Sequence, residues 1–411
     1  MERECQARND EGQSPADLTT FGKILTVAAS EASSAPARER IEALISASYG
    51  TPVRVRAVDR LEPWCVLRCQ LSARASDVPG SVVVKWLRDN PDDIRRDPAQ
   101  LHTEQAALEF VAELDPALVP RLLAADTAVT DPDDRILVLE DLAPREPLRE
   151  VLLREGPERS AGLLASFART LGRLHAASVG QADAYYSRRS RLGPVDRRAS
   201  IERFLGDWSA GVQQMADAGV VMTTAAMHEL AGVVTEFARP SAFLAFSNGD
   251  PGVNNYLVGA YGDGRLIDFE FAGFRHAVCD LVADLYVPGP MWLTVGDPLS
   301  NGVEEAYRHT LARAVPEVTD DHWFGRAVSG AGFIFAAGRL RPLARLDSRP
   351  SGDGGRLNRV AALEAAADAA GRRHCLPQLT AWARAAAESL RRRWPDADID
   401  LKTLGDYTTR Q

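Results

Sequence analysis

Two aspartates and an asparagine lie close together in the second half of the chain. Asp250 and Asn255 stand in FSNGDPGVNNYLV (246–258), and Asp268 stands in GRLIDFEFAG (264–273). Phosphoryl transfer requires a carboxylate that faces the acceptor hydroxyl, and it requires hard oxygen ligands that hold Mg²⁺ on the nucleotide phosphates. A loop with Asp250 and Asn255, followed by a strand with Asp268, would supply both from one hairpin.

The same Asp-x4-Asn spacing occurs a second time, at Asp353 and Asn358. That copy precedes a helix-like run, VAALEAAADAA, and lacks the apolar-Asp-Phe sequence that follows the first copy. An isolated pair of this kind is typical of a turn or a helix cap, because Asp and Asn side chains bond readily to nearby backbone. We therefore predict a turn or cap at Asp353 and a functional loop at Asp250.

A lysine lies in an otherwise apolar run, SVVVKWLR (81–88), that reads as a strand. Because strand side chains alternate, Lys85 shares its face with apolar residues, and a buried ammonium requires a counter-charge. The next helix, at about 99–114, places Glu104 on its apolar stripe. We predict a Lys85–Glu104 ion pair that directs the amine toward a nucleotide. The alternative is an unpaired lysine that snorkels to solvent from an edge strand.

The predicted elements divide the chain into two parts after a polar start. Residues 1–18 are polar and are predicted to be disordered. Short alternating runs separated by Pro and Gly predict an antiparallel sheet within 19–142, together with the lysine strand and the glutamate helix. From 143 to 411 the pattern is mainly helical, with the hairpin at 246–273 as an interruption. These features predict an α+β fold with a small β-rich lobe and a larger helical lobe.

Three finer assignments complete the pattern. A helix is predicted at 20–33 and a strand at 118–124. The arginines of YYSRRSRLGPVDRR (185–198) predict a solvated loop, with an anion-binding segment as the alternative.

Composition excludes several classes of protein. The chain has 411 residues, 45% hydrophobic and 26% charged, which is typical of a soluble globular protein of about two domains. The net charge of −9 gives no basic surface for nucleic acid, and no apolar run is long enough to span a membrane. Five scattered cysteines without Cys-x2-Cys pairs, and a start without a signal-peptide pattern, predict a cytoplasmic protein with reduced thiols.

These motifs together resemble a known family. Lys85, Glu104, ILVLEDL (136–142), LGRLHAAS (171–178), the GDPGVNN loop and LIDFE occur in the order found in aminoglycoside phosphotransferase-like and choline-kinase-like small-molecule kinases. The resemblance extends over about residues 50–290. It implies a protein-kinase-like fold in which ATP and Mg²⁺ bind between the two lobes.

The resemblance also implies roles for individual residues. Lys85 would contact the α- and β-phosphates of the nucleotide, and Glu104 would orient it. Asp250 would be the catalytic carboxylate that faces the acceptor hydroxyl. Asn255 and Asp268 would bind Mg²⁺.

Further positions are implied around this centre. Backbone groups of Glu140 and Leu142 would bind the adenine edge, and a backbone contact leaves GTP open as an alternative to ATP. His175 resembles a family histidine for which we predict a packing role. Asp280 matches a family aspartate that supports the catalytic loop through hydrogen bonds.

Two positions depart from the family pattern. The family loop usually begins His-x-Asp, whereas Asn248 stands in the place of the histidine; its amide can donate a similar hydrogen bond. No glycine occurs between Gly50 and Gly80, so VDRLEPW (58–64) is not a glycine-rich phosphate flap. A loop with side chains approaches phosphates less closely than a glycine loop.

The sequence therefore predicts an ATP- and Mg²⁺-dependent phosphotransferase that acts on a hydroxyl of a small molecule. A catalytically silent kinase-like binding protein is the first alternative, because of the glycine-free flap. A protein kinase is the second, but only twelve positions separate Asp268 from Asp280, too few for an activation segment. Antibiotics, nucleosides, sugars and amino alcohols all remain open as acceptors, and so does the oligomeric state.

Overall fold

A computed structural model describes residues 36–61, 65–87, 97, 99–129 and 135–410. Its strands are β1 (Val53–Arg60), β2 (Val66–Ala73), β3 (Ser81–Trp86), β4 (Leu122–Asp126), β5 (Ile136–Glu140), β6 (Glu146–Pro147), β7 (Leu244–Ser247), β8 (Tyr256–Val258), β9 (Gly264–Leu266) and β10 (Gly273–His276). Its α-helices are α1 (Arg38–Tyr49), α2 (Ala99–Leu114), α3 (Leu148–Glu155), α4 (Pro157–Ser178), α5 (Ala182–Ser190), α6 (Ala199–Leu205), α7 (Trp208–Asp217), α8 (Thr224–Ala238), α9 (Cys279–Val282), α10 (Val303–Leu311), α11 (Asp321–Gly338), α12 (Leu343–Asp347), α13 (Gly354–Arg372) and α14 (Pro377–Arg393).

The first lobe is built on an antiparallel sheet with the strand order β1-β2-β3-β5-β4. Strand β3 lies inside this sheet, where Lys85 is opposite Val66 on one side and Leu137 on the other. Side chains of β3 alternate between two faces: Val82 and Val84 are fully buried under α1, whereas Lys85 is on the other, half-buried face. The lysine therefore faces the cleft, and the more buried face is the opposite one.

Helix α2 covers the lysine face of the sheet. The predicted stripe of this helix is buried, and its members are Leu101, Glu104, Leu108 and Val111. On the solvent side, Glu109 and Glu113 accept hydrogen bonds from Arg188. The 3.6-residue period thus explains why a single glutamate of this helix enters the cleft.

The second lobe is a helical body with one large apolar core. Helix α4 packs against α10, α13 packs against α14, and α11 packs against α7 and α13. Close packing of α11 is possible because Gly330 faces Val233, where an added Cβ would lie 2.7 Å from a valine methyl carbon. The predicted α+β, two-lobe, protein-kinase-like fold is confirmed.

Two small sheets interrupt the helices and carry the Asp250 loop. Strands β8 and β9 form a hairpin, with Tyr256 opposite Leu266, and β6 pairs with β8. Strands β7 and β10 pair antiparallel, with Ser247 opposite Gly273. The loop between β7 and β8 is thus held at both ends by paired strands.

Some finer assignments differ from the sequence analysis. The strand predicted at 118–124 begins later, as β4. The arginine segment 185–198 is partly helical, since α5 ends at Ser190, and Arg188 in it is paired with carboxylates. The predicted disordered start (1–18), the helix at 20–33 and the last residues of the flap, 62–64, lie outside the described residues.

No helix among the described residues combines the length and the apolar character that a membrane crossing requires.

Candidate active site

Lys85 connects the first lobe to the hairpin of the second lobe. Its Nζ donates to both carboxylate oxygens of Glu104, at 2.8 and 2.6 Å, and to Oδ1 of Asp268 at 2.7 Å. The predicted Lys85–Glu104 pair is present, and Lys85 also reaches the aspartate from the distant hairpin. Three residues that are far apart in the sequence therefore converge in the cleft.

Burial and the neighbouring charges shift the pKa of Lys85 in opposite directions. The Lys85 side chain is 13% exposed and that of Glu104 is 2% exposed. Burial opposes a charge on Lys85, but the carboxylates of Asp268 and Glu104 outweigh it, so the pKa of Lys85 lies above its ordinary value. The lysine is therefore a fixed cation at the floor of the cleft.

The loop that carries Asp250 depends on a glycine. Gly249 has a φ of +87°, and a Cβ added there would lie 2.1 Å from the carbonyl oxygen of Phe271. Only glycine fits this conformation and this close approach without a shift of the backbone. The result is that Asp250 projects from the loop, is exposed, and lines a cavity of about 280 Å³.

Asn255 holds the loop closed from the other end. Its Nδ2 donates to the carbonyl oxygen of Asp250 at 2.8 Å and lies 3.4 Å from the Asp250 carboxylate. Its own carbonyl accepts from Ile267 N at 3.0 Å, which ties the loop to the residue before Asp268. Because Nδ2 is used in these contacts, the oxygen Oδ1 is the atom of Asn255 that a cation would take. It now accepts from Asn254 at 2.8 Å.

Asn248 donates from its amide, as expected of a residue in the place of the family histidine. Its Nδ2 lies 3.4 Å from the Asp250 carbonyl and 3.3 Å from the Ile267 carbonyl. These are long hydrogen bonds, but they connect the two segments that carry Asp250 and Asp268. The side chain is buried, so it acts on the backbone of the loop.

A buried hydrogen-bond network centred on Asp280 supports the same loop. Asp280 accepts from Ser247 Oγ at 2.9 Å and from Arg275 at 2.9 and 2.6 Å, and it lies 3.1 Å from His175 Nε2. The Ser247 hydroxyl oxygen in turn accepts from Gly249 N at 2.9 Å. The predicted supporting role of Asp280 and the packing role of His175 agree with these contacts.

Asp268 lies just beyond a strand and not on one. Strand β9 ends at Leu266, and Asp268 has a φ of +62°, in the left-handed region. This turn brings Glu270 to the same place. Ligand oxygens of Glu104, Asp268 and Glu270 all lie within 4.8 Å of one another.

Sequence reasoning missed Glu270 as a member of this group. The signal that could have found it is its position two residues after Asp268 in the same turn. Carboxylate oxygens are the donors that Mg²⁺ prefers, so Asp268 and Glu270 fit such an ion. Both carboxylate oxygens of Glu104 accept from Lys85, which leaves it less suited to a metal.

The predicted adenine contacts lie at the end of β5. Glu140 N donates to the Arg121 carbonyl, and the Leu142 carbonyl accepts from Arg145 N, both at 2.9 Å. If these residues bind a nucleotide base, the Glu140 carbonyl and the Leu142 amide are the groups for that contact. This role stays a prediction.

The second Asp-x4-Asn copy has the predicted structural role. Asp353 is the N-cap of α13 and accepts from Gly355 N at 2.8 Å. Asn358 is buried and donates to the carbonyls of Gly289 and Trp292. Neither residue is among those that line the cavity beside Asp250.

The family of the chain follows from a match to a family model. Residues 76–318, more than half of the chain, match the phosphotransferase enzyme family. The matched range includes Lys85, Asp250 and Asp268. The chain belongs to this family.

Solved structures with a similar fold share little sequence with the chain. The aminoglycoside phosphotransferase from Alicyclobacillus acidocaldarius is 15% identical, with 85% of this chain and 93% of that chain covered and a TM-score of 0.42. The choline kinase LicA from Streptococcus pneumoniae is 12% identical (80% and 98% covered, TM-score 0.41). The macrolide 2′-phosphotransferase MphH from Brachybacterium faecium is 16% identical (80% and 97% covered, TM-score 0.41). No curated protein sequence matches the chain significantly.

Proposed function

We propose that this protein is an ATP- and Mg²⁺-dependent phosphotransferase that phosphorylates a hydroxyl group of a small molecule. The observation that carries the proposal is the contact of Lys85 with both Glu104 and Asp268, at 2.6–2.8 Å. In phosphoryl transfer the protein contributes mainly position and charge, and this contact fixes a cation from the first lobe beside a carboxylate from the second.

Asp250 is the group that would receive the proton of the acceptor. In the reaction, a bond forms between the acceptor oxygen and the γ-phosphorus while the bond from that phosphorus to the β–γ bridging oxygen breaks. The electron pair of the broken bond leaves with ADP, and the hydroxyl proton passes to Asp250. The hydrogen bond from Asn255 to the Asp250 backbone keeps the carboxylate at the edge of the cavity.

Asp268 and Glu270, with Oδ1 of Asn255, are the groups that would hold Mg²⁺. Bound there, the ion would neutralise negative charge on the nucleotide phosphates. Lys85 would supply the second, permanent positive charge of the site.

Substitution of the two aspartates tests the proposal. We expect Asp250→Asn to lower acceptor-dependent ADP release by ~10²-fold or more, since general-base groups contribute that factor, while Mg-ATP still binds. We expect Asp268→Asn to abolish Mg²⁺-dependent ATP binding in calorimetry. Asp353→Asn is the matched control, because it changes the other Asp-x4-Asn motif and Asn also caps helices well.

The same assay separates an enzyme from a silent binding protein. A silent protein would bind nucleotide without ADP release for any member of a metabolite and antibiotic panel, and Asp250→Asn would then change nothing. Full activity of Asp250→Asn would remove this residue from the mechanism. Unchanged Mg-ATP affinity of Asp268→Asn would show that the metal ligands are others.

A further inference from the structure

The cavity beside Asp250 has a size that suits a small acceptor. Its volume is about 280 Å³, just below the range typical of small-molecule sites, ~300–1,000 Å³. It lies between the Asp250 loop, helix α6 and the end of α11. An acceptor in it would present its hydroxyl to the carboxylate that we assign to catalysis.

Arginines dominate the charge of this cavity. Its lining includes Arg203, Arg275 and Arg339, against the carboxylates of Asp207 and Asp250. Two of these charges are already compensated by residues nearby. Arg275 is paired with Asp280 at 2.6 Å, and Asp207 with Arg341 at 2.9 Å.

Arg203 and Arg339 differ from Arg275 in this respect. Within the described part of the chain, neither forms an ion pair. The Arg203 guanidinium lies 4.2 Å from the centre of the Phe271 ring and donates to the Phe271 carbonyl at 3.3 Å. Arg339 donates from Nη2 to the side-chain oxygen of Asn358, a neutral acceptor, and its Nε is buried without a hydrogen-bond partner among the described residues.

The surroundings of Arg339 make its positive charge costly. Burial is the largest cause, and the nearby Arg359 and Arg410 add to it, so the pKa of Arg339 falls to about 9, although the negative charge of Asp284 opposes the change. An arginine keeps its proton in proteins, so the lowered pKa indicates that the surroundings of Arg339 are unfavourable for its charge. A bound anion would relieve it.

We propose that the acceptor carries an oxyanion group, a carboxylate or a phosphate ester, that binds to Arg339 and Arg203 while its hydroxyl faces Asp250. The planar fork of an arginine binds such groups with two parallel hydrogen bonds. A polycationic acceptor would instead meet two guanidinium groups that have no ion-pair partner in the described part of the chain, and like charges at an interface oppose binding. This inference rests on the proposed function for the position of the hydroxyl.

Binding of small hydroxy compounds to the full-length protein tests the inference. The probes are glycerate, glycerol 3-phosphate, neutral glyceramide and cationic ethanolamine, titrated calorimetrically with and without Mg²⁺ and a non-hydrolysable ATP analogue. We expect at least one anion to bind tenfold or more tightly than the neutral and cationic probes. The two anions tell a carboxylate site from a phosphate site.

Variants show whether Arg339 is the cause of the preference. We expect R339Q to reduce the preference for the anion to less than threefold and R339K, which keeps the charge, to retain part of it. Arg345 on α12 provides the matched control, since it is exposed and outside the cavity; R345Q removes the same charge and should keep the full preference. Retention in R339K would show that the position tolerates substitution and that the preference depends on the positive charge.

The outcomes separate this inference from the proposed function. Equal or tighter binding of glyceramide or ethanolamine, the absence of binding by both anions, or equal behaviour of R339Q and R345Q would overturn the inference. Failure of the wild-type protein to bind the Mg-nucleotide would count against the proposed function. The anion preference would still be measured, because half of the titrations contain no nucleotide.

Discussion

Replacement of Lys85 by Met should destabilise the protein in a way that depends on pH. The change leaves Glu104, whose side chain is 2% exposed, buried without its cation. Removal of one partner of a buried ion pair costs roughly 3–5 kcal/mol of the free energy of unfolding. The carboxyl has one way to avoid this cost, which is to take up a proton.

Proton uptake sets the pH dependence and its sign. Burial already raises the pKa of Glu104 above its ordinary 4.5, and Lys85 opposes that rise. Without Lys85 the folded state binds the proton more tightly than the unfolded state, so stability is lost as the pH increases. The loss is roughly 1.4 kcal/mol per pH unit above 4.5 until the folded-state pKa is reached. The largest loss of unfolding free energy expected for Lys85→Met is therefore under about 1 kcal/mol at pH 5 and about 5 kcal/mol at pH 8.

Urea denaturation of Lys85→Met at pH 5 and pH 8 measures this effect directly. The double variant Lys85→Met/Glu104→Gln is the control, because it removes the carboxylate and should recover most of the loss at pH 8. Both variants should lose Mg-ATP affinity, although only Lys85→Met should lose stability at pH 8. The effect on stability is thereby distinguished from the effect on nucleotide binding. An equal loss at both pH values, or a double variant as unstable as Lys85→Met, would refute the electrostatic reasoning.

Three further predictions concern single residues. His276 is fully buried, and burial, with a smaller effect of His175, lowers its pKa to about 3. The free energy of unfolding of the wild-type protein should therefore fall by up to about 1.4 kcal/mol per pH unit as the pH falls below 6.5. His276→Asn should flatten this dependence in urea titrations, and an unchanged slope would count against it. Burial raises the pKa of Asp284 to about 6, so the stability it gives when protonated is lost as the pH rises from about 4 through 6, roughly 3 kcal/mol in all. Asp284→Asn should remove that loss; a variant with the wild-type profile would contradict the assignment. Gly249→Ala should lower the free energy of unfolding by at least about 1 kcal/mol and reduce turnover, because the added methyl meets a backbone carbonyl at positive φ; wild-type stability and activity would show that the loop tolerates a side chain.

The sequence allowed the nucleotide half of the cleft to be predicted because local periods determine it. The alternation of side chains in β3 predicts that Lys85 faces the cleft, and the 3.6-residue period of α2 predicts that Glu104 does. The hairpin that carries Asp250 and Asp268 has a sharp local signature as well. These features depend on neighbours in the chain, so a single sequence contains them.

The remaining parts of the site depend on contacts that no local pattern encodes. Glu270 joins Asp268 because the backbone at Asp268 is left-handed, which breaks the alternation expected of a strand. Arg203 and Arg339 reach one cavity from helices that are more than a hundred positions apart. No local pattern in either helix marks these arginines, and the packing of the elements around the cavity brings the two charges together.

The contrast between Arg275 and Arg339 indicates where acceptor specificity arises. Both line the cavity, but the charge of Arg275 is compensated by Asp280, a carboxylate that also holds Ser247 and thereby the catalytic loop. Arg275 is therefore part of the support that every reaction at Asp250 would need. The hydrogen bond that the Arg339 guanidinium forms within the described part of the chain goes to a neutral amide, and Arg339 lies beyond residue 318, where the match to the family model ends. The matched part of the chain thus contains Lys85, Asp250 and Asp268, whereas Arg339, one of the two arginines proposed to bind the acceptor, follows α11 outside it.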